Sequence, residues 1–518
     1  MYISRDLTKC IFVELHCSET KIYDSDILME TLRNNLKKQS IKEIPLNLTE
    51  SSIYETILKI GRTVLQEYLD GLNDDVDTTE KVNYNGESLP YKGKEEREYV
   101  SIFGPVKIRR AYHWKKGCTE GFCPLDNQLN LPEGKFSYAL QDIALKLLVS
   151  GPYNEALDTI ERIFKVRLWS EAVKSMLERA SSYVHAFYKG IKNYEETEGP
   201  IIAVTMDCKG IPMVPAERSK KAEPKKVRRE KGDKRKGLRR DAVVTSHFTF
   251  FPEPRTSEEM FKVLMRLHTE EERKEEKAKK KEKKALKQPA SREPINKQVH
   301  AAMDGKEKAF ERLGDQILLR NPTKEKKLIV LIDGASSLET KFKEEMRKRK
   351  WVRRVDAYIL YIFHATEYLW EGGSALYGEK SPKRQEWVSE KLKEILEGKV
   401  GYVIGSMRQI LKKDTREELK QSGKKVLEKV ITYFENHKHM MKYDEYLQKG
   451  YPIGTGVIEG ACGCLVKDRT DRSGMKWTHA GVQAILNLRA VEQNNDWDKY
   501  FAYYTEMERQ RLYKKTSS

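Results

Sequence analysis

Apolar positions recur at three- and four-residue spacing from Ser51, where Ile53, Ile57, Ile60 and Val64 form one stripe, and residues 1–95 read as a helical region. From Glu98 the period shortens. EYVSIFGPVKIRRAYHW alternates apolar and polar residues about Gly104-Pro105, which predicts a β-hairpin within 96–135. SYALQDIALKLLVSG, PYNEALDTIERIF and, after a KVRL link, WSEAVKSMLERASSYV predict three helices within 136–198. The last two have the spacing of a helix-turn-helix, which would turn Ser170, Lys174 and Arg179 outward with Arg167 ahead of them; a plain helical bundle is the alternative.

Residues 199–375 follow a different rule. IIAVTMDCKGIPMV predicts a strand ending at Asp207, a tight Lys209-Gly210 turn and a second strand, and AVVTSHFTFF resumes as a strand from Ala242. KKLIVLID predicts a buried strand ending at Asp333 before Gly334, and VDAYILYIFH a further strand from Val355 to His364. Residues 365–449 read as continuously helical, with 376–450 forming a segment of their own. A Gly/Pro-rich turn at Gly450, Pro452, Gly454 and Gly456 then enters a helix carrying Glu459 near its start, within 451–495, and 496–518 form a C-terminal tail. The fold class is multidomain α+β.

Charge narrows the partners. The 518 residues carry a net +18, and between Glu217 and Arg240 thirteen Lys/Arg stand against four Asp/Glu, a net +9. Such a stretch reads as a solvated loop that lies along phosphates, so nucleic acid is the expected partner. The Lys/Glu-rich run from Glu258 to Lys287 largely cancels its own charge and reads as a solvated helix. No apolar run approaches the ~20 residues that cross a bilayer. The N-terminus lacks a signal-peptide pattern, and seven scattered cysteines suit a reducing interior. A soluble cytoplasmic protein is expected, with no membrane partner.

Two sets of residues could hold metal. His113, Cys118 and Cys123 in HWKKGCTEGFCPLD offer half of a zinc ribbon, but with no second pair nearby free cysteines are favoured over Zn²⁺. Asp207, Asp333 and Glu459, on two strand ends and a helix, form a hard-oxygen set suited to Mg²⁺ or Mn²⁺; two such ions support phosphoryl transfer. Each acid has a plain alternative, as a turn residue for the aspartates or as a helix-dipole partner for Glu459. Asp304, in helical surroundings, and Asp356, which starts its strand, are less well placed. Paired acids also serve glycoside hydrolysis, which a strongly basic loop disfavours.

The blocks FGPVKIRRAY, GFCPLD, MDCKGIPM, LIDGAS, FHATEYLW and YPIGTGVIEGAC, with LVKDR and RSGMKW, resemble insertion-sequence transposases of the ISKra type from about Tyr99 to Trp497. The resemblance implies a DDE transposase with a ribonuclease-H-like catalytic core. Its two motif aspartates map onto Asp207 and Asp333 and its glutamate onto Glu459, which together would bind two Mg²⁺ or Mn²⁺ ions. The segment 376–450 is similar to the helical insertion of related Mutator-like transposases. His364 would steady the strand-end geometry or a phosphate, and Lys467, Arg469, Arg472 and Lys476 would contact phosphates beside the cut. The implied partners are terminal inverted repeats and target DNA, bound by a homodimer or higher oligomer associated with the nucleoid. Two departures stand out: Tyr361 where relatives carry an acid three residues before the histidine, and Gly463-Cys464 where they carry Arg-His. A co-opted DNA-binding protein, or a metal-dependent nuclease without strand transfer, fits the same residues.

Overall fold

The structure, a computed structural model, describes residues 24–38, 45–72, 81–84, 86–118, 120–190, 198–214, 239–267, 294–413, 421–454 and 456–513. They fall into two units of mixed α and β structure, one up to Arg179 and resumed from Asp498, the other from Ala180 to Trp497. Most of the basic stretch 217–240 and of the Lys/Glu run 258–287 lies outside the described residues. No helix among those described is long and apolar enough to cross a membrane.

The first unit opens with α1 (Ser25–Lys38) and α2 (Leu46–Gly71), followed by a short hairpin of β1 (Val82–Tyr84) and β2 (Glu87–Leu89). The predicted hairpin joins β3 (Tyr91–Ser101) to β4 (Gly104–His113). Ser101 pairs with Gly104, whose φ of 114° suits a residue without Cβ. The Ser101 hydroxyl accepts from the Phe103 N–H and donates to the Gly104 carbonyl, which pins the loop. Strand structure begins at Val82, so the helical reading of residues 1–95 is corrected from there on; YKGKEERE is polar on both faces and carries no apolar alternation to announce the strand. Gln66 on α2 both donates to and accepts from the backbone of Lys107, so a helix side chain covers the outer edge of β4. Behind that edge, Leu69, Val106, Ile108 and Leu131 form a core.

After α3 (Pro124–Gln128), the three predicted helices appear as α4 (Tyr138–Ser150), α5 (Tyr153–Phe164) and α6 (Ser170–Ser182). The Ser137 hydroxyl caps α4 by accepting from the Leu140 N–H, and Lys165 ends α5 in the left-handed conformation. The C-terminal segment forms a helix, Trp497–Tyr513, whose residues from Asp498 onward complete this unit. Its Tyr504 hydroxyl reaches Gln141 at 3.2 Å and its Tyr513 hydroxyl the Leu131 carbonyl at 2.6 Å.

The second unit begins with α7 (Val184–Gly190) and is built on one five-stranded sheet. β5 (Ile201–Pro212) and β6 (Arg239–Phe250) are antiparallel, as are β6 and β7 (Ile295–Ala302), with α8 (Ser257–Leu264) between β6 and β7. After α9 (Lys306–Arg320), β8 (Lys327–Ile332) pairs in parallel with β5. After α10 (Ser336–Lys348), β9 (Val355–Leu360) pairs in parallel with β8. The order across the sheet is therefore β7-β6-β5-β8-β9. β8 is buried along nearly its whole length, as its unbroken apolar run requires.

Helices α11 (Ile362–Tyr377), α12 (Pro382–Leu396), α13 (Val400–Lys413), α14 (Gln421–His437) and α15 (Tyr443–Gln448) follow, matching the expected helical stretch. They are tied to the sheet by tyrosines. The Tyr443 hydroxyl donates to the Leu360 carbonyl at 2.9 Å, and that of Tyr446 to the Tyr358 carbonyl at 3.1 Å. The Glu459 segment starts as α16 (Val457–Ala461), widens into a π-helical turn over Cys462–Lys467 and closes with one α turn, Asp468–Thr470. α17 (His479–Gln493), capped by Thr478, then packs along β7.

Candidate functional site

Asp207 and Asp333 are brought together by strand register. Met206 is the partner of Ile332 in the parallel β5–β8 pair, so the next residue on each strand is an aspartate. Asp333 leaves the sheet there. Asp207 does not. β5 runs on to Pro212 because β6 pairs with it along its full length and Trp477 bonds its far end, through Trp477 N to the Pro212 carbonyl at 3.0 Å. The expected strand end at Asp207 and the turn at Lys209-Gly210 are thus corrected: both lie inside a continuous strand.

The two carboxylates are held by three hydrogen bonds, two of them local. Asp207 accepts from the Cys208 N–H at 2.6 Å and, on its other oxygen, from the Cys462 thiol at 3.2 Å. Asp333 accepts from the Ala335 N–H at 2.9 Å. The loop after Asp333 is braced from α14, where the Tyr433 hydroxyl donates to the Asp333 carbonyl at 2.8 Å. His437 contacts the Gly334 carbonyl at 2.8 Å and the Tyr433 carbonyl at 2.7 Å. A neutral imidazole can donate to just one of these. Gly334 itself has φ 89°, and a Cβ there would lie 2.7 Å from the Tyr433 hydroxyl.

Glu459 joins this neighbourhood from the first turn of α16. Glu459 is exposed, yet partial desolvation by its surroundings raises its carboxyl above the ordinary range, and the charges of Asp207 and Glu367 add to the rise while His364 opposes it. Asp333 is raised in the same way, by burial and then by Asp207, against the Ala335 N–H and His364. The two aspartates are half-buried and Glu459 is exposed, and neighbouring carboxylates that repel one another favour a cation between them. Three carboxylates are also the donor type that Mg²⁺ or Mn²⁺ takes, and each oxygen keeps acceptor capacity beyond the bonds described. The donor chemistry therefore fits, although among the described residues no three His, Cys, Asp or Glu side chains close around one point as a finished metal cage.

His364 sits near the acids, but in the first turn of α11, where its Nδ1 lies 3.2 Å from Glu367. The strand expected to reach it stops at Leu360, since the apolar run VDAYILYIF crosses from strand into helix without a polar break. The two decoys are accounted for. Asp304 makes a two-pronged ion pair with Arg312, and Asp356 is held by Lys327, Lys449 and the Tyr451 hydroxyl.

The basic residues after Glu459 divide. Lys467, Arg472 and Lys476 are exposed and available to a polyanion. Arg469 is fully buried, its guanidinium 4.7 Å from the Trp477 ring centroid and bonded to the Met475 sulfur, so the expected phosphate contact is corrected to a packing role. In the first unit Arg167, Ser170 and Lys174 are exposed, Lys174 beside Glu171. Arg179 turns instead to Glu133 and Glu508 and is not presented outward.

The zinc alternative finds little support. The His113 ring faces the Leu89 carbonyl, the Cys118 thiol donates to Glu87 at 2.7 Å, and Cys123 is buried with its thiol pushed up to about 11, chiefly by burial.

Sequence patterns gave no sign of Tyr433, His437 or Cys462, and little of Arg489. Arg489 on α17 donates to the Leu465 carbonyl at 3.0 Å and to that of Cys464, serving carbonyls that the π turn displaces. Its place on an otherwise apolar helix face was the one available hint. A scan against protein-family models finds no match for the chain, and a search of curated proteins finds none.

Proposed function

We propose that the chain is a DNA transposase of the ISKra type, whose second unit is a ribonuclease-H-like core that cuts and joins phosphodiesters at element ends. The observation that carries this reading is the Met206–Ile332 register, which sets Asp207 beside Asp333 within electrostatic reach of Glu459. Two further features support it. Three antiparallel strands followed by two parallel ones on the far side of β5 agree with that core, and helices 362–448 intervene before the glutamate, as the insertion would.

Asp207, Asp333 and Glu459 would hold the divalent ions. When bound, these activate the attacking water or DNA 3′-hydroxyl and stabilise the leaving oxygen. The chain's own groups prepare that site. The Cys208 N–H and Cys462 thiol fix the Asp207 carboxylate, and Tyr433 and His437 brace the Asp333 loop. Lys467, Arg472 and Lys476 offer charge to phosphates, and a dimer would bring two such sites to two ends.

The test uses the full chain, duplexes bearing any inverted repeats found beside its gene, and Mg²⁺ or Mn²⁺. The parent should cleave and join ends, while Asp207→Asn, Asp333→Asn and Glu459→Gln should bind the same DNA without cutting. Cutting by all three variants at the parent's rate would refute the site. A second reading, a DNA-binding protein without cleavage, is favoured by the Cys462 thiol on Asp207 and by the missing basic pair at Gly463-Cys464. Binding without cutting by the parent would select it, and cutting without joining would select a nuclease.

A further inference from the structure

The link between α5 and α6 alternates like a strand: Val166 and Leu168 are buried, whereas Lys165, Arg167 and Trp169 face solvent. Trp169 is 54% exposed, a large apolar ring left in water at a measurable cost. Lys135 holds its ammonium 5.1 Å from the Trp169 ring centroid and 5.7 Å from that of Phe136. The same lysine pairs with Glu98 at 3.2 Å, but both side chains are well exposed, so that pair exchanges at little cost. Beside it lies a cleft of about 290 Å³, lined by Lys135, Phe136, Met176 and Arg179 and also by Glu133 and Glu508, which pair with that arginine.

A flat aromatic ring between cationic groups suits a ligand that is itself flat and attached to anions. We propose that Trp169 is a stacking platform for an unpaired nucleobase at a DNA end, with Lys135 and Arg167 on the adjoining phosphates and the cleft making room for the next nucleotide. Bases within a duplex are already stacked, so the platform selects frayed, overhanging or single-stranded DNA. This inference rests on the DNA reading given above and adds to it the strand state that the first unit prefers.

The experiment compares blunt duplex, duplex with a single-stranded overhang and a dT oligonucleotide, each dye-labelled, by fluorescence anisotropy with the full-length protein. The parent should favour the overhang and the oligonucleotide. Trp169→Ala should weaken both by roughly tenfold or more, and leave blunt-duplex binding within about twofold. Trp169→Phe should restore most of the loss, and blunt-duplex binding kept by Trp169→Ala sets a folding defect aside. Equal binding of overhang by parent and Trp169→Ala overturns the platform and leaves the DNA reading standing. Failure of the parent to bind any of the three DNAs overturns both. Should light scattering show that Trp169→Ala turns a dimer into monomers, the ring belongs to a contact between copies and the base-stacking proposal is wrong.

Discussion

The guanidinium of Arg469 lies 4.7 Å from the centroid of the Trp477 ring, wholly out of solvent, while Arg472 and Lys476 nearby remain exposed. Their substitutions should therefore separate cleanly. Arg469→Ala is expected to destabilise the protein by about 2–5 kcal/mol, as for other large buried side chains, measured by urea unfolding. Arg472→Ala and Lys476→Ala should change stability by less than ~0.5 kcal/mol. Each should instead weaken DNA binding and lower the slope of log affinity against log salt by about 1.

The acids should behave as a strained site. Asp333 and Glu459 are both raised by desolvation and by the charge of Asp207. In chelator, Asp207→Asn relieves that repulsion and should raise Tm by about 1–2 °C, equivalent to ~1 kcal/mol for a unit of this size. Mg²⁺ or Mn²⁺ should then raise the Tm of the parent and not that of the variant. A parent Tm indifferent to both ions would count against a carboxylate metal site.

Two glycines near the site should respond in opposite directions. Gly334 has φ 89° and no room beside Tyr433 and His437, so Gly334→Ala should cost about 1–3 kcal/mol and disturb the Asp333 loop. Gly463 sits in the π turn with nothing within 4 Å of a Cβ. Gly463→Ala should be neutral or stabilising by up to ~1 kcal/mol. Thermal melts of the two variants check the contrast.

Acid should unfold the second unit through its histidines. His300 is lowered to about 3 and His185 to about 4, and His247 is also strongly depressed, in each case chiefly by burial. Arg312 adds to the depression at His185 and His300, and Arg320 at His247. Asp304 opposes it at His185, and Gln316 is the polar neighbour of His300. Above the unfolded value near 6.5 both states are neutral and nothing is lost. Below it the unfolded chain takes up protons that the folded one refuses, so stability falls as pH drops from about 6.5 towards 4. The loss should be on the order of 2 kcal/mol per histidine by pH 5. His300→Gln should flatten the pH dependence of urea midpoints over that range.

What could be read from the chain depended on how local the cause was. KLIVLI followed by Asp-Gly announces β8 and Asp333 because an unbroken apolar run and a turn residue are both local signals. Gly104 likewise announces its hairpin. The extension of β5 past Asp207 was hidden, since it depends on hydrogen bonds to β6 and to Trp477, far along the chain. The start of α11 was hidden because apolar residues serve both the strand before it and the helix. Arg469 looks like its exposed neighbours until Trp477 folds over it. Cys462 meets Asp207 across 255 residues of sequence, and no period within either segment foretells that contact.

The π turn at Cys462–Lys467 can be thought of as a phase slip. It takes in one residue more than an α-helix would use, so everything after it is rotated by about 100° from where a regular helix would have put it. Deleting Gly463 would heal the helix and reverse that rotation. Glu459 would keep its place, but Arg469 would swing off Trp477 and Arg489 would lose the carbonyls it serves. A chain shortened by one residue, and more regular for it, should fold less well than one carrying the irregularity.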